Sequence, residues 1–260
     1  MSAFSDLDMC LPFIESQSQY PAALVPGPIA PRHAAPRLAI TISRQSGSGA
    51  HAVGEKLAQY LQTCVPHETL PWMLFDRNLV EHVLEDHNLP RRLAPFMTED
   101  RVTGITDMIE ELFGLHPPFY TLVDITTETI QHLAEQGNVI LIGRGANVIA
   151  RNLPHVFHVR LVASLEKRVA HMQELRGLSA KAARELVLAE DRGRRRYLKK
   201  YFHQDFDNPL LYNLVINTDH TTYDDAARLI CEAALQHLRH RTLDTAAHRT
   251  EAASTVAPRA

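Results

Sequence analysis

The sequence predicts an α/β fold in which a five-stranded parallel β-sheet is covered by helices on both faces. Five short apolar segments alternate along the chain with stretches whose apolar residues recur at helical spacing. The segment Val139–Gly143 is apolar without alternation, which is typical of a strand covered on both faces. In such folds the crossovers are right-handed and ligands bind at the carboxyl ends of the strands.

The elements follow one another without an internal repeat. Each predicted strand is a short apolar run, and the runs are Leu38–Ser43, Trp72–Phe75, Val139–Gly143, Val156–Val162 and Leu214–Asn217. Helices are predicted where apolar residues return every three or four positions. They cover Ala50–Gln62, Asn78–Glu85, a short stretch near 105–113, Leu122–Glu135, Leu165–Leu175, Ala180–Phe202 and Tyr223–Leu238.

The two ends of the chain differ from this pattern. Residues 1–36 are rich in proline and match neither helix nor strand, so we expect a disordered arm there. Residues 241–260 lack a sustained apolar face, and we expect a disordered tail. The folded domain should therefore cover about residues 37–240.

Composition narrows the class of protein. The 260 residues are 45% hydrophobic and 22% charged, which is ordinary for a globular chain. A formal net charge of −3 provides no global basic field, which argues against a nucleic-acid partner. The three cysteines are far apart and no apolar run could span a bilayer. We therefore expect a cytoplasmic protein without a membrane partner; the oligomeric state is left open.

The most informative segment lies between the first strand and the first helix. It reads Ser-Arg-Gln-Ser-Gly-Ser-Gly-Ala-His over residues 43–51. Gly47 and Gly49 let backbone N–H groups turn inward, and the following helix directs its own N–H groups to the same point. A phosphate would fit against residues 46–51, namely Ser46, Gly47, Ser48, Gly49, Ala50 and His51. The alternative is a tight turn that needs its glycines only for packing.

This loop departs from the P-loop pattern Gly-x-x-x-x-Gly-Lys-Ser/Thr. Arg44 stands at the first glycine, Ala50 at the lysine and His51 at the Ser/Thr. The side-chain charge that would reach the terminal phosphates is therefore missing from its usual place. Arg44 could supply a positive charge from another direction.

Charged residues at three other places could meet the same ligand. Arg144 lies between two glycines at the end of the third strand, and Asp76 follows the second strand. Six of the nine residues from Arg192 to Lys200 are basic, and the apolar stripe of their helix lapses over residues 189–196. Ordinary alternatives exist for each: a surface ion pair for Arg144, a helix cap for Asp76 and a solvated face for the basic run.

The order of these segments resembles a known family. The segments are ITISRQSGSGA, LFDRNLV, VILIGRGANVI, HVRLVASLEKRV, EDRGRRRYLKKYF and LVINTDHTTYDDAARLI. They resemble the cytidylate kinase-like family of bacterial proteins, which are relatives of cytidylate kinase among the nucleoside monophosphate kinases. The resemblance covers about residues 38–238 and implies a three-layer P-loop kinase fold with a helical insert near 88–120 and a lid near 188–206.

The resemblance also implies roles for particular residues. Residues 46–51 match the phosphate loop, and Arg144 matches an arginine that touches the substrate nucleotide. Arg192 and Arg194 match lid arginines that embrace the transferring phosphoryl group, with Arg44 as a third catalytic cation. Asp76 and Asp191 are the remaining candidates for substrate binding. ATP would be the phosphoryl donor, and Mg²⁺ would be held mainly through the nucleotide phosphates, without a dedicated metal site in the protein.

Three hypotheses on function remain open. The first is a kinase that transfers a phosphoryl group from ATP to a nucleoside monophosphate or a related small acceptor. The second is a non-catalytic nucleotide-binding or sensing module, supported by Ala50 and Gly145 at positions where kinases carry functional side chains. The third is an anion- or nucleic-acid-binding protein that uses the arginine cluster.

Overall fold

The computed structural model describes residues 37–64, 71–76, 79 and 119–255. Five strands are described: β1 (Ala39–Arg44), β2 (Met73–Phe75), β3 (Val139–Ile142), β4 (Val156–Val162) and β5 (Leu214–Asn217). The described helices are α1 (Ala50–Cys64), α2 (Phe119–Gln136), α3 (Ala146–Ile149), α4 (Leu165–Arg176), α5 (Ala180–Phe202) and α6 (Tyr223–Thr255), with a 3-10 turn at Pro209–Leu211. The arm at 1–36, the predicted helix Asn78–Glu85 except for its residue 79, the helix near 105–113 and nearly all of the expected insert at 88–120 lie outside the described residues.

All five strands are parallel and lie in the order β2-β3-β1-β4-β5. The first strand is therefore central, with β3 on one side and β4 on the other. Because chain direction along the sheet reverses at β1, the crevice at its carboxyl end is where a ligand is expected in an open α/β sheet. The glycine-rich segment begins at this point.

The residues of β3 show why helices cover both faces of the sheet. Ile140 and Ile142 point into one apolar cluster together with Leu57 of α1 and Ile230 of α6. Their neighbours Val139 and Leu141 point into the opposite cluster, which includes Ile130 and Leu133 of α2. Since successive side chains of a strand alternate between faces, a strand that is apolar throughout needs a helix layer on each side. The predicted α/β sheet with helices on both faces is confirmed.

Two helices differ from the sequence-based expectation. The single-turn helix α3 was not predicted, because four residues are too short for an apolar period to be recognised. Helix α6 begins at Tyr223 as predicted but continues to Thr255, past Leu238 and into the segment expected to be an irregular tail. This last part is rich in alanine, and alanine has the highest helix propensity.

A buried histidine lies in the middle of the sheet. His158 of β4 is 9% exposed, and its Nδ1 atom is 2.8 Å from the hydroxyl oxygen of Thr41 on the neighbouring strand β1. Burial lowers the pKa of His158 from 6.5 to about 4, and the nearby His237 acts in the same direction. The imidazole is therefore neutral in the folded protein over most of the acid range.

We expect the folded protein to lose stability between pH 6.5 and pH 4 partly through His158. In this window the unfolded chain binds a proton at His158 that the folded chain rejects, so lower pH favours unfolding by up to about 3 kcal/mol. Urea unfolding of the wild type and of a His158→Gln variant at several pH values would measure the difference. The pH dependence should become weaker in the variant, whereas His220→Gln, at an exposed position, should leave it unchanged. Equal pH dependence in the wild type and His158→Gln would contradict the expectation.

Candidate phosphate-binding site

The glycine loop, residues 45–49, joins β1 to α1 at the carboxyl edge of the sheet. Gly47 has a φ of 80° and Gly49 a φ of 84°, backbone conformations that other residues adopt only with strain. A Cβ atom on Gly47 would lie 2.5 Å from the carbonyl oxygen of Arg168, and one on Gly49 would overlap the ring of Tyr223. Both positions thus need glycine for backbone shape and for close packing.

The loop is anchored from the side of β4 and β5. The backbone N–H of Gln45 donates to the carbonyl of Leu161, and its side-chain oxygen accepts from the N–H of Ala163 at 3.0 Å. The hydroxyl of Ser48 donates to the carbonyl of Gln45 at 2.8 Å, and the hydroxyl of Thr218 donates to the carbonyl of Ser48 at 3.2 Å. These bonds hold the loop in a single shape.

The loop retains backbone donors for an anion. In the part of the chain that the structure describes, the N–H groups of Gly47, Gly49 and Ala50 have no hydrogen-bond acceptor. These groups cluster where the loop runs into the first turn of α1, the positive end of that helix dipole. The arrangement fits a phosphate group.

Helix α5 brings two carboxylates onto the same loop. The N–H of Ser46 donates to Oδ1 of Asp191 at 2.8 Å, and the hydroxyl of Ser46 donates to a carboxylate oxygen of Glu190. Arg194 donates to both carboxylates, at 3.2 Å to Asp191 and at 3.1 Å to Glu190. The two acids therefore place the Arg194 guanidinium beside the glycine loop.

The predicted lid arginines separate in the structure. Arg194 is buried against the loop, whereas Arg192 is exposed on another face of α5. The predicted substrate residue Asp191 is buried, with its two oxygens bonded to Ser46, Arg168 and Arg194. Gly193 lies buried within an uninterrupted helix. The section of α5 without an apolar stripe faces the loop through ionic side chains, and this explains why the stripe lapses there.

The apolar ends of α5 hold this ionic section in place. Toward its N-terminus, Ala183 and Val187 pack against Met172 of α4. Toward its C-terminus, Tyr197 and Leu198 pack in a second cluster that includes Val123 of α2. The lid segment expected at 188–206 is therefore docked on the sheet domain over the described residues.

Sequence reasoning did not single out Arg168 or Arg160. Arg168, in the first turn of α4, donates from Nη1 to the carbonyl of Ser46 at 3.2 Å and to Asp191 at 2.7 Å. A cation in a first turn opposes the helix dipole, and this could have indicated a buried anion nearby. Arg160 of β4 is also buried; it bonds to Asp207 at 2.8 Å and lies 4.0 Å from the ring centre of Phe206, which ties the segment after α5 to the sheet.

Arg44 and Arg144 lie at the ends of neighbouring strands. The pairing of Ile42 with Ile142 places residues 44 and 144 level with each other at the carboxyl edge. The Arg44 guanidinium packs against the backbone of Gly143, at a place that a side chain at that position would fill. Arg144 is buried and has a φ of 55°, a strained conformation outside glycine.

His51 and Asp76 meet at the β2 side of this edge. Nδ1 of His51 lies 3.2 Å from a carboxylate oxygen of Asp76, and Nε2 lies 3.5 Å from Glu55. His51 is exposed, whereas the Asp76 side chain is mostly buried. The predicted phosphate and substrate residues on this side are therefore close to each other.

The described residues offer no protein cage for a metal ion. They contain no group of three or more His, Cys, Asp or Glu side chains placed to hold one. The hydroxyls of Ser46 and Ser48 already donate to Glu190 and to the carbonyl of Gln45. A magnesium ion fits this edge when it is carried by the phosphates of a nucleotide. Among the described helices, none is long and apolar enough to cross a membrane.

The fold and the conserved order of these segments agree with comparisons to known proteins. The sequence profile described as the cytidylate kinase-like family matches residues 39–220. The chain belongs to the cytidylate kinase-like family. The three-layer P-loop kinase fold that the resemblance implied is thereby confirmed.

Solved structures share this fold at low sequence identity. An uncharacterized protein from Eubacterium ventriosum ATCC 27560 is 19% identical, with a TM-score of 0.57, and the match covers 77% of this chain and 99% of that one. A shikimate kinase from Bacteroides thetaiotaomicron is 16% identical with a TM-score of 0.39, covering 79% and 98%. A gluconokinase from Sinorhizobium meliloti 1021 is 12% identical with a TM-score of 0.42, covering 82% and 98%.

One curated protein matches part of the chain. A uronate isomerase of Corynebacterium glutamicum is 31% identical over 106 residues, which is 41% of this chain. The chain spans about a fifth of the length of that relative, since the match covers 20% of it. The isomerase activity of the whole relative is therefore a property of that protein.

We expect Gly47→Ala to destabilise the protein more than Gly177→Ala. Both glycines have positive φ, so each substitution costs about 1–2 kcal/mol of backbone strain. A Cβ at Gly177 meets no atom within 4 Å, whereas one at Gly47 meets the backbone of Arg168. The clash should add about 1–3 kcal/mol. Urea unfolding of the two variants measures the difference, and equal losses would contradict the close approach of α4 to the loop.

Proposed function

We propose that this protein is a kinase that transfers a phosphoryl group from ATP to a nucleoside monophosphate or a related small acceptor. The observation that carries the proposal is the convergence of a glycine loop with unbonded amides and several buried or half-buried arginines at one edge of the sheet. Phosphoryl transfer depends on positioning and on charge stabilisation more than on covalent chemistry by the protein, and this edge supplies both.

The glycine loop would bind the donor phosphates. The N–H groups of Gly47, Gly49 and Ala50 are the available backbone donors, and His51 follows them in the first turn of α1. The N–H and hydroxyl of Ser46 are held by Asp191 and Glu190, so Ser46 would contribute to the loop's shape and would reach a phosphate only after these bonds exchange. Magnesium carried by the nucleotide would neutralise part of the phosphate charge.

Arginines would stabilise the transferring group. Ala50 removes the lysine of an ordinary P-loop, and Arg44 is the cation nearest in the chain that could replace it. Arg194 approaches from α5 on the other side of the loop. Guanidinium groups bind phosphate oxygens in a bidentate fork, so two of them can cover opposite sides of a transferring phosphoryl group. Arg192 could join them only if its exposed side chain turned toward the loop.

The acceptor would lie over the ends of β2 and β3. Arg144 closes β3, and Asp76 follows β2 with His51 beside it. A cation and a carboxylate about a small polar molecule would orient it toward the loop. With the acceptor in place, the docked α5 would exclude water so that the acceptor is phosphorylated in preference to water. We place this activity in the cytoplasm, where ATP is abundant and thiols such as Cys64 and Cys231 stay reduced.

A second candidate is a nucleotide-binding module without catalysis. Ala50 in place of the lysine favours it, and so do the carboxylates of Glu190 and Asp191 beside the loop, because they would repel a terminal phosphate. Such a module would bind ATP or ADP through the loop amides and change its state without transferring a phosphoryl group.

An acceptor panel with radiolabelled ATP and Mg²⁺ tests the proposal. We expect phosphoryl transfer to at least one nucleoside monophosphate or small hydroxylated acceptor. Arg194→Gln should lower kcat by about 10²–10³-fold with a smaller change in KM, because its charge is most useful when phosphate charge redistributes in the transition state. Arg184→Gln, an exposed position on the same helix, is the matched control and should keep full activity.

The results separate the two candidates. Tight ATP binding without transfer to any acceptor would establish the binding module and exclude the kinase. Loss of activity in Arg184→Gln equal to that in Arg194→Gln would show that general charge on α5, and not the contact with the loop, matters.

A further inference from the structure

Arg168 makes contacts that no motif or proposed catalytic step accounts for. Its Nη1 atom donates to the carbonyl of Ser46 and to Oδ2 of Asp191, and its Nε atom donates to the carbonyl of Ala163 at 3.1 Å. From these contacts we propose that Arg168 is a positioning residue that aims the glycine loop at the nucleotide and couples the loop to helix α5. The inference rests on the proposed nucleotide binding.

The bonds around Ser46 form a closed ring. The Ser46 carbonyl accepts from Arg168, Arg168 donates to one oxygen of Asp191, and the other oxygen of Asp191 accepts from the Ser46 N–H. Both peptide groups that flank the Ser46 Cα atom are therefore held at once. Neither of them can rotate without breaking a charge-assisted hydrogen bond.

The ring sets the direction of the next amide. The carbonyl of Ser46 and the N–H of Gly47 belong to one planar trans peptide and point in opposite directions. Because Arg168 holds that carbonyl, the Gly47 N–H points away from Arg168, and among the described residues it has no acceptor. Gly47, with its φ of 80°, lacks the intrinsic preference that would hold this orientation by itself. Arg168 thus prepares the first unbonded donor of the loop.

Burial makes this arrangement specific. Arg168 is 7% exposed and Asp191 is 3% exposed, and Glu190 and Arg194 complete a cluster of two acids and two arginines. A buried ion pair of this kind seldom stabilises a protein more than apolar residues of similar volume would. Its value here lies in fixing one geometry that joins α4, α5 and the loop.

Coupling between the loop and α5 follows from the ring. When α5 is docked, Asp191 is in place to hold the Ser46 N–H and Arg168, and the loop is ready for phosphate. By thermodynamic linkage, a nucleotide that prefers the ready loop must favour the docked helix to the same degree. Arg168 does this without touching the nucleotide.

Arg168→Lys is the sharpest test. Lysine keeps the positive charge next to Asp191 but lacks the planar fork that reaches the Ser46 and Ala163 carbonyls together. We expect ATP affinity, measured by calorimetric titration well below the melting temperature, to fall at least about tenfold. Arg176→Lys, at the exposed end of the same helix, is the matched control and should bind ATP like the wild type.

Asp191→Asn provides a second test of the same ring. An asparagine oxygen can still accept from the Ser46 N–H but holds Arg168 without a charge, so ATP affinity should also fall. The double variant should bind no more weakly than the weaker single variant, because either change opens the same ring.

The outcomes separate this inference from the proposed function. If the wild type binds no ATP, the proposed function fails and takes this inference with it. If the wild type binds ATP and both variants bind it equally well, with only a lower melting temperature, Arg168 is merely structural and this inference alone is overturned. Independent, additive losses in the double variant would also overturn the coupling.

Discussion

One buried carboxylate determines how the parts of this molecule meet. Asp191 accepts hydrogen bonds from the Ser46 amide, from Arg168 and from Arg194, so that a loop, the start of α4 and the middle of α5 share a single anion. A carboxylate inside a protein costs too much free energy to stay unpaired, and three donors offset that cost only in one geometry. The position of α5 and the shape of the glycine loop therefore depend on each other.

Much of the fold could be predicted because the apolar pattern is strong. The predicted bounds of Val156–Val162, Ala180–Phe202 and Leu214–Asn217 agree with β4, α5 and β5. Strand runs without alternation indicated a sheet covered on both faces, and the two apolar clusters on either side of β3 confirm it. The turn α3 and the extension of α6 were missed, because a single turn has no readable period and an alanine-rich segment carries no apolar face to mark it as helical.

The candidate site was predictable where local geometry decides and obscure where distant contacts decide. The strand-glycine-helix context was enough to find the loop. The separation of Arg194 from Arg192 could also have been read, since Asp191 and Arg194 continue the helical spacing of Ala183 and Val187 while Arg192 falls off that stripe. The partnership of Arg168 with Ser46 spans 122 positions of the chain, and only the approach of α4 to the loop creates it.

Helix α5 has 23 residues, is anchored by apolar packing at both ends and carries its ionic contacts between them. At a rise of 1.5 Å per residue it is a rod about 34 Å long. A rod of this kind tilts as a unit, about the left-handed residues Gly177 before it and His203 after it. It therefore behaves as a lever: an acceptor that displaces the α2 end would shift Asp191 at the loop, and the molecule could sense one substrate at the seat of the other.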